Sequence, residues 1–228
     1  MIRESGADLV ALQEVDNGTK RSGGVDQAAE LARLTGLHSA YGSAMNYDGG
    51  QYGDAVLSRW PIIESATVPL PWREGERREP RVAVAIAFKW RAKVPMVRFI
   101  STHFDHTREP SDRLAQAEAI NEASHAEAWR DDAATTGDAA AGPGLVILAG
   151  DFNCQVGSEP MEALTREWTL VSGDDPDAPT CCGAQPKVKI DHVFVKPDRW
   201  QVIESRVLDE PVASDHRPVM VKLRLRSS

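Results

Sequence analysis

The sequence predicts one mixed α/β domain, and three observations carry that prediction. Most apolar residues fall in short runs bounded by turn formers, as buried strands do. Only a few stretches carry helical spacing, and no internal repeat or break in composition divides the 228 residues. Hairpin-length and crossover-length connections both occur, so parallel and antiparallel strands are expected within a single domain spanning 1–228.

Met1-Ile2-Arg3-Glu4-Ser5-Gly6 reads as the last turn of a helix stopped by Gly6, and it shows neither the charged nor the apolar region of a signal peptide. Asp8–Gln13 is a short apolar run ending in polar residues, as a buried strand would be. Over Asp26–Thr35, Ala28, Leu31, Ala32 and Leu34 share a helical face, with Gly36 as the stop. Asp54–Ser58 is a second strand. Arg77–Arg81 reads as the end of a charged loop, after which Val82, Val84, Ile86, Phe88 and Trp90 alternate at period 2. Val97–Thr102 pairs with that strand as a hairpin across an Ala92–Pro95 turn. Ser111 caps a helix predicted to reach about Asp131, with Leu114, Ala117, Ile120 and Ser124 spaced three to four apart. Ala133–Gly144 is an Ala/Gly-rich loop. Leu145–Ala149, the most apolar run, reads as a central strand. Ser158 caps a short helix over Glu159–Arg166. Ile190–Val195, Val202–Leu208 and Val219–Leu225 complete the strands, the last with one face toward water.

Composition excludes several classes. Hydrophobic residues make up 42% and charged residues 26%, which is neither a disordered nor a collagenous nor a coiled-coil balance. No run approaches the roughly 18 apolar residues that span a bilayer. Lys and Arg number 26 against 34 Asp and Glu, a net charge of -8, so no fold-wide basic surface awaits nucleic acid. Cys154, Cys181 and Cys182 cannot all pair, and the adjacency of two of them makes poor disulfide geometry.

The chemistry concentrates at strand ends: Gln13-Glu14, His103-Phe104-Asp105-His106, Gly150-Asp151-Phe152-Asn153, Asp191-His192 and Ser214-Asp215-His216. Any one of these reads most simply as a turn or a surface pair. As a set, Glu14, Asp151, Asp191 and Asp215 are four carboxylates suited to a hard divalent cation. His103 and His216 add imidazoles that titrate near neutral pH.

With Leu12-Gln13-Glu14, Tyr52-Gly53-Asp54-Ala55-Val56-Leu57-Ser58-Arg59, Ser101-Thr102-His103, Gly150-Asp151-Phe152-Asn153, Ile190-Asp191-His192 and Ser214-Asp215-His216 in this order, the chain resembles the endonuclease/exonuclease/phosphatase superfamily. The resemblance covers essentially the whole chain. It implies a four-layer sandwich, two packed mixed β-sheets flanked by helices, and phosphoester hydrolysis with Mg²⁺ or Mn²⁺. On the matching positions it implies Glu14 as principal metal ligand, with Asp215 and Asp151 beside it. Asp151 would orient or deprotonate the attacking water, and Asn153 would bind the phosphate. His216, held by Asp191, would stabilise developing charge, while His103 would face the leaving group. Arg81 and Tyr52 are further candidate phosphate contacts, each with an equally simple structural reading.

Members of that superfamily open with a strand ending in Asn near the metal; here that strand would lie before Met1, and its absence would leave apolar sheet edges unpaired. Asp54 also stands where Asn is usual. Asp151–Glu162 fails as a calcium loop because Val156 occupies the glycine position and a strand precedes it. His103–His106 fails as a zinc motif because its first histidine position is Ser101. Cys154 has no arrangement around it that would activate a thiol nucleophile. The acidic balance favours a small or lipid-derived phosphoester; a nuclease acting on DNA or RNA, and a non-catalytic or impaired binding module, are the alternatives. The expected partner is a phosphoester, with nucleic acid as the alternative. A monomer is expected, and location is left open, cytoplasmic by default.

Overall fold

The computed structural model describes every residue except 75–77, 92–93, 126–143, 174–177, 184 and 227–228. Helix α1 (Ile2–Ser5) does end at Gly6, left-handed at φ 65°, and leads to strand β1 (Leu9–Asn17). Helix α2 (Gln27–Thr35) starts where the Asp26 carboxylate accepts the Ala29 N–H at 2.9 Å and stops at left-handed Gly36. Strands β2 (His38–Tyr47), β3 (Gly50–Ser58), β4 (Glu64–Leu70), β5 (Arg81–Phe88) and β6 (Val97–His103) follow. Helix α3 (Ser111–His125), β7 (Leu145–Asp151), helix α4 (Glu159–Thr165), β8 (Thr169–Leu170), β9 (Asp191–Lys196), β10 (Trp200–Val207) and β11 (Val219–Leu225) complete the chain.

Six strands form one mixed sheet in the order β4-β5-β6-β7-β9-β8, with β6 and β7 parallel and the other pairs antiparallel. Facing it are the antiparallel sheet β1-β3-β2 and the hairpin β10-β11. The layering is the expected sandwich. Leu148, Phe152 and Phe194 pack outward against Ile120 of α3 and Met161 and Leu164 of α4. Phe99, Ile147, Ala149 and Val195 pack inward against Val56 of β3 and Leu9 and Ala11 of β1. Ala28 of α2 closes over Val15 and Ala55 on the far side.

Three strands lie outside the sequence expectations, β2, β4 and the two-residue β8. All three are sheet edges, with few buried positions and, in β4, Pro69. An edge strand lacks the two-sided apolar signature that marks β5, β6 and β7, each buried throughout. The end of the predicted Ser111–Asp131 helix and nearly all of the Ala133–Gly144 loop lie outside the described residues, as do two positions of the Ala92–Pro95 turn. Ser158 sits at the start of α4 but makes no side-chain cap; its hydroxyl donates instead to the Gln155 carbonyl at 2.8 Å.

The second layer is split. Among the described strands, β1 pairs with β3 alone and β11 with β10 alone. Between them lies a cavity of about 1190 Å³ bordered by Leu9–Val15 of β1 and Val219–Leu223 of β11 and floored by Phe99, Ile147 and Ala149. The outward core, by contrast, is closed. Phe152 is fully buried, edge-on to Phe104 at 5.0 Å and to Phe194 at 5.3 Å between ring centroids. Phe152→Ala should therefore cost about 3–5 kcal/mol in urea unfolding. A loss below ~1 kcal/mol would contradict this packing.

Candidate active site

Alternation along the strands brings the polar residues together. Phe99, Ser101 and His103 on β6, Ile147, Ala149 and Asp151 on β7, and Val195, Val193 and Asp191 on β9 occupy equivalent inward positions. Parallel pairing sets His103 opposite Asp151, and antiparallel pairing sets Asp151 opposite Asp191. The apolar row under the facing sheet thus ends in a polar row across three neighbouring strands. Gly150 allows this register: a Cβ there would overlap the Thr102 backbone.

The Asp191 carboxylate accepts a hydrogen bond from His216 Nδ1 at 2.9 Å, which leaves Nε2 facing Asp151 Oδ2 at 3.9 Å. That hydrogen bond, reinforced by the charges of Asp191, Asp151 and Asp215, raises His216 to about 9 against the opposing effect of burial. Asp151 is pushed up to about 7, first by burial and then by the charge of Asp191. Its Oδ1 accepts the Asn153 N–H at 2.8 Å. His103 Nε2 stands 3.5 Å from Asp151 Oδ2.

Arg81 is buried at the head of β5, where its guanidinium meets His103 Nδ1 at 3.3 Å and His106 Nδ1 at 3.1 Å. Arginine can only donate, so His103 Nδ1 accepts and the ring proton sits on Nε2, toward Asp151. Burial and the Arg81 charge hold His103 well below the ordinary histidine value. Tyr52 is buried beside Glu14 and Arg81, and its phenol is raised by burial.

From the facing layer, Glu14 sits exposed at a bulge in β1 with φ 59°, a backbone conformation rare for a side-chain-bearing residue. Gln13 Nε2 donates to Ser101 Oγ at 2.9 Å, and Ser101 Oγ donates to the Leu12 carbonyl at 3.2 Å, pinning the bulge to β6. The Glu14 N–H donates toward Asp54, which is buried, raised by that burial to about 8, and left with an unpartnered Oδ2.

Of the expected residues, Asp151, Asp191 and His216 bring their ligand atoms together and His103 stands beside Asp151, whereas Glu14, expected as principal metal ligand, is exposed and outside that group. Asp215, expected as a metal ligand, is exposed and stands outside the group whose ligand atoms come together; its carbonyl accepts the Gly183 N–H at 2.9 Å, and its charge reaches the site through His216. Asn153, expected on the phosphate, directs its amide to the Phe104 carbonyl at 3.0 Å and more weakly to Asp151 Oδ2 at 3.4 Å. Asp54 and His106 were not among the expected site residues. The signal for Asp54 was its carboxylate in place of the usual Asn, and for His106 its place three residues after His103.

The donor set fits a hard divalent cation. Ligand atoms of Asp151, Asp191 and His216 lie within 4.8 Å of one another. Glu14 borders the same cavity as Asp191 and His216, and its charge, like that of Asp151, acts on Asp54, whose Oδ2 lacks a partner. Carboxylate oxygens predominate, as such ions require.

Asp54 supplies a test of this electrostatic picture. Its folded value lies above the ordinary 3.8, so its favourable contribution is complete below that pH and lost as pH rises toward 8. In chelator, Asp54→Asn should melt above wild type at pH 8 by about 1–3 kcal/mol, at roughly 2–4 °C per kcal/mol, and the gap should shrink at pH 4–5. A gap independent of pH would contradict a buried, ionising Asp54.

The model of the Endonuclease/Exonuclease/phosphatase family matches residues 1–216. Among solved structures, the fold is similar to an endonuclease/exonuclease/phosphatase from Beutenbergia cavernae (24% identity, TM-score 0.70), covering 99% of this chain and 64% of that one. It is similar also to a mannosyl-6-phosphatase from Bacteroides thetaiotaomicron (19% identity, TM-score 0.71; 99% of this chain, 88% of that one). The human Nocturnin catalytic domain with bound sulfate is a third (16% identity, TM-score 0.72; 98% and 83%). With the family model spanning nearly the whole chain and the polar row at the rim of a two-sheet sandwich, this protein belongs to the endonuclease/exonuclease/phosphatase family.

Proposed function

We propose that this chain is a divalent-metal-dependent phosphoester hydrolase whose substrate is a small or lipid-derived phosphoester. The single observation that carries the reading is the convergence of Asp151, Asp191 and His216, with His216 hydrogen-bonded to Asp191. Glu14, Asp151 and Asp191 would hold Mg²⁺ or Mn²⁺, with Asp215 acting from the outer side. A bound cation of this kind offsets phosphate charge and makes water more acidic.

The chain's own residues do the rest. Asp151, raised toward neutrality, is suited to take a proton from the attacking water. His216, kept as imidazolium by Asp191, offers its Nε2 proton to a phosphate oxygen. Asn153 holds Asp151 through its backbone N–H, and its weakly engaged amide hydrogen is available to the phosphate. Neutral His103, its proton on Nε2, faces the leaving group. Arg81 and Tyr52 place a cation and a buried hydroxyl beside Glu14, where a phosphate oxygen would rest.

The net charge of -8 supports a small substrate over a polyanion, which would need a basic track. Relatives named as phosphatases support the same preference. With bis-p-nitrophenyl phosphate, release of p-nitrophenol should require Mg²⁺ or Mn²⁺ and stop in chelator. Asp151→Asn and His216→Gln should each lower kcat about 10²–10³-fold. Turnover unaffected by chelator or by either substitution would overturn the reading, and tight, salt-sensitive DNA binding followed by cleavage would redirect it to a nuclease.

A further inference from the structure

Beside the proposed hydrolytic centre lies a second group of ligands, of different chemistry. Cys181 and Cys182 are adjacent, and their sulfur atoms lie side by side. The loop that carries them is tied to the His216 segment. Thr180 and Cys181 N–H groups donate to the Val188 carbonyl, Lys187 and Val188 N–H groups donate back to the Cys181 carbonyl, and this ladder makes a small hairpin. That hairpin is sewn to the next loop where Gly183 N–H donates to the Asp215 carbonyl and Arg217 N–H donates to the Thr180 carbonyl. The two bonds flank His216. As a result, both sulfurs and a His216 ring nitrogen fall within 4.8 Å of one another. Cys181 is buried, His216 half-buried and Cys182 exposed, so the group opens to solvent on one side.

We propose that the reduced Cys181–Cys182 pair and His216 form a binding site for a soft divalent cation such as Zn²⁺, and that its occupation withdraws His216 from the catalytic centre. Two thiolates and one imidazole are a thiophilic set, poorly matched to the Mg²⁺ that carboxylates favour. With Zn–S near 2.3 Å and Zn–N near 2.0 Å, tetrahedral ligands stand roughly 3.5 Å apart, so small side-chain rotations bring the three together. A fourth position stays open to solvent on the Cys182 side. Either ring nitrogen so taken is one the centre uses: Nδ1 is held by Asp191, and Nε2 faces Asp151.

Oxidation of the pair to a disulfide would close this site. A dithiol reductant such as dithiothreitol breaks the S–S bond by transferring two electrons; it closes into its own cyclic disulfide while its two protons pass to the cysteine sulfurs. Cation binding then releases those two protons to solvent. Inhibition through this site rests on the hydrolase reading above, whereas binding does not.

Full-length protein, reduced and freed of reductant, should be titrated with Cd²⁺ while the ultraviolet thiolate-to-Cd²⁺ absorption is recorded. One Cd²⁺ per chain is expected in reduced protein and none in the disulfide form, with the band surviving excess Mg²⁺ and the Asp151→Asn substitution. Cys182→Ser and His216→Gln should weaken binding by at least the roughly 10–100-fold that loss of a mere supporting partner costs a metal ligand. Cys154→Ala, altering the third and buried cysteine, should leave it unchanged. No band, a band equal in oxidised protein, or a band kept by Cys182→Ser or His216→Gln would overturn the site. In the activity arm, Zn²⁺ should depress the reduced wild type about 10²-fold while leaving Cys182→Ser at its own Zn²⁺-free rate. A band without inhibition would overturn the coupling to His216, and absence of any turnover would count against the hydrolase reading alone.

Discussion

The site depends on one constraint, the register that sets the ends of β6, β7 and the start of β9 side by side. His103, Asp151 and Asp191 are neighbours because pairing continues to the last residue of each strand. What holds those last residues is apolar. Phe104 and Phe152 follow His103 and Asp151 directly, point to the opposite face, and bury completely against each other and the helix layer. Two buried aromatic side chains are worth several kcal/mol of transfer free energy, far more than any hydrogen bond within the polar row. Each Phe fixes the direction of the polar side chains beside it, since successive positions in a strand face opposite ways. Phe152 does this for Asp151 before it and Asn153 after it.

The facing sheet contributes through strain. Glu14 and Asn153 both adopt positive φ, at 59° and 49°. Such conformations cost of order 1–3 kcal/mol each and persist only where surroundings over-determine them. For Asn153 the compensation is local, because Asp151 accepts its N–H and Phe104 accepts its amide. For Glu14 it comes from across the sandwich, through Gln13 and Ser101, and from Asp54 beneath. Relaxing the bulge would shift the register of β1 by one residue and turn its polar end away from the cleft.

Much of this was legible in the residues. The strands that build the polar row are continuous apolar runs, and β7, with its Asp151 end, was readable as central because Leu145–Ala149 carries no polar interruption. Helix α2 announced both of its ends through Asp26 and Gly36. The edge strands β2 and β4 were not legible, because exposure on one face mixes Ser, Asn and Glu into them and erases the pattern. At the site, residue types indicated which groups would meet but not their partners. That Arg81 would bridge two histidines, or that Asp54 would lie under Glu14, depends on which strands pair and in what register, which no local pattern encodes. The same holds for Cys181 and Cys182, whose proximity to His216 arises from hydrogen bonds between two loops separated by some thirty residues of chain.

The electrostatics give the arrangement its direction. Asp54 and Asp151 are buried, Asp191 is half-buried, and the site's charge is answered mainly by Arg81 and His216. Arg81 is already shared with Glu79, His103 and His106, so its positive field is spread along the row rather than spent on one acid. Burying carboxylates without matching cations raises their proton affinity, and both Asp54 and Asp151 rise accordingly. A divalent cation would satisfy the same acids far better than protons do, because it places two charges among oxygens already desolvated and held in position. The excess of acid at the rim costs the fold stability, and a bound divalent cation would offset that cost.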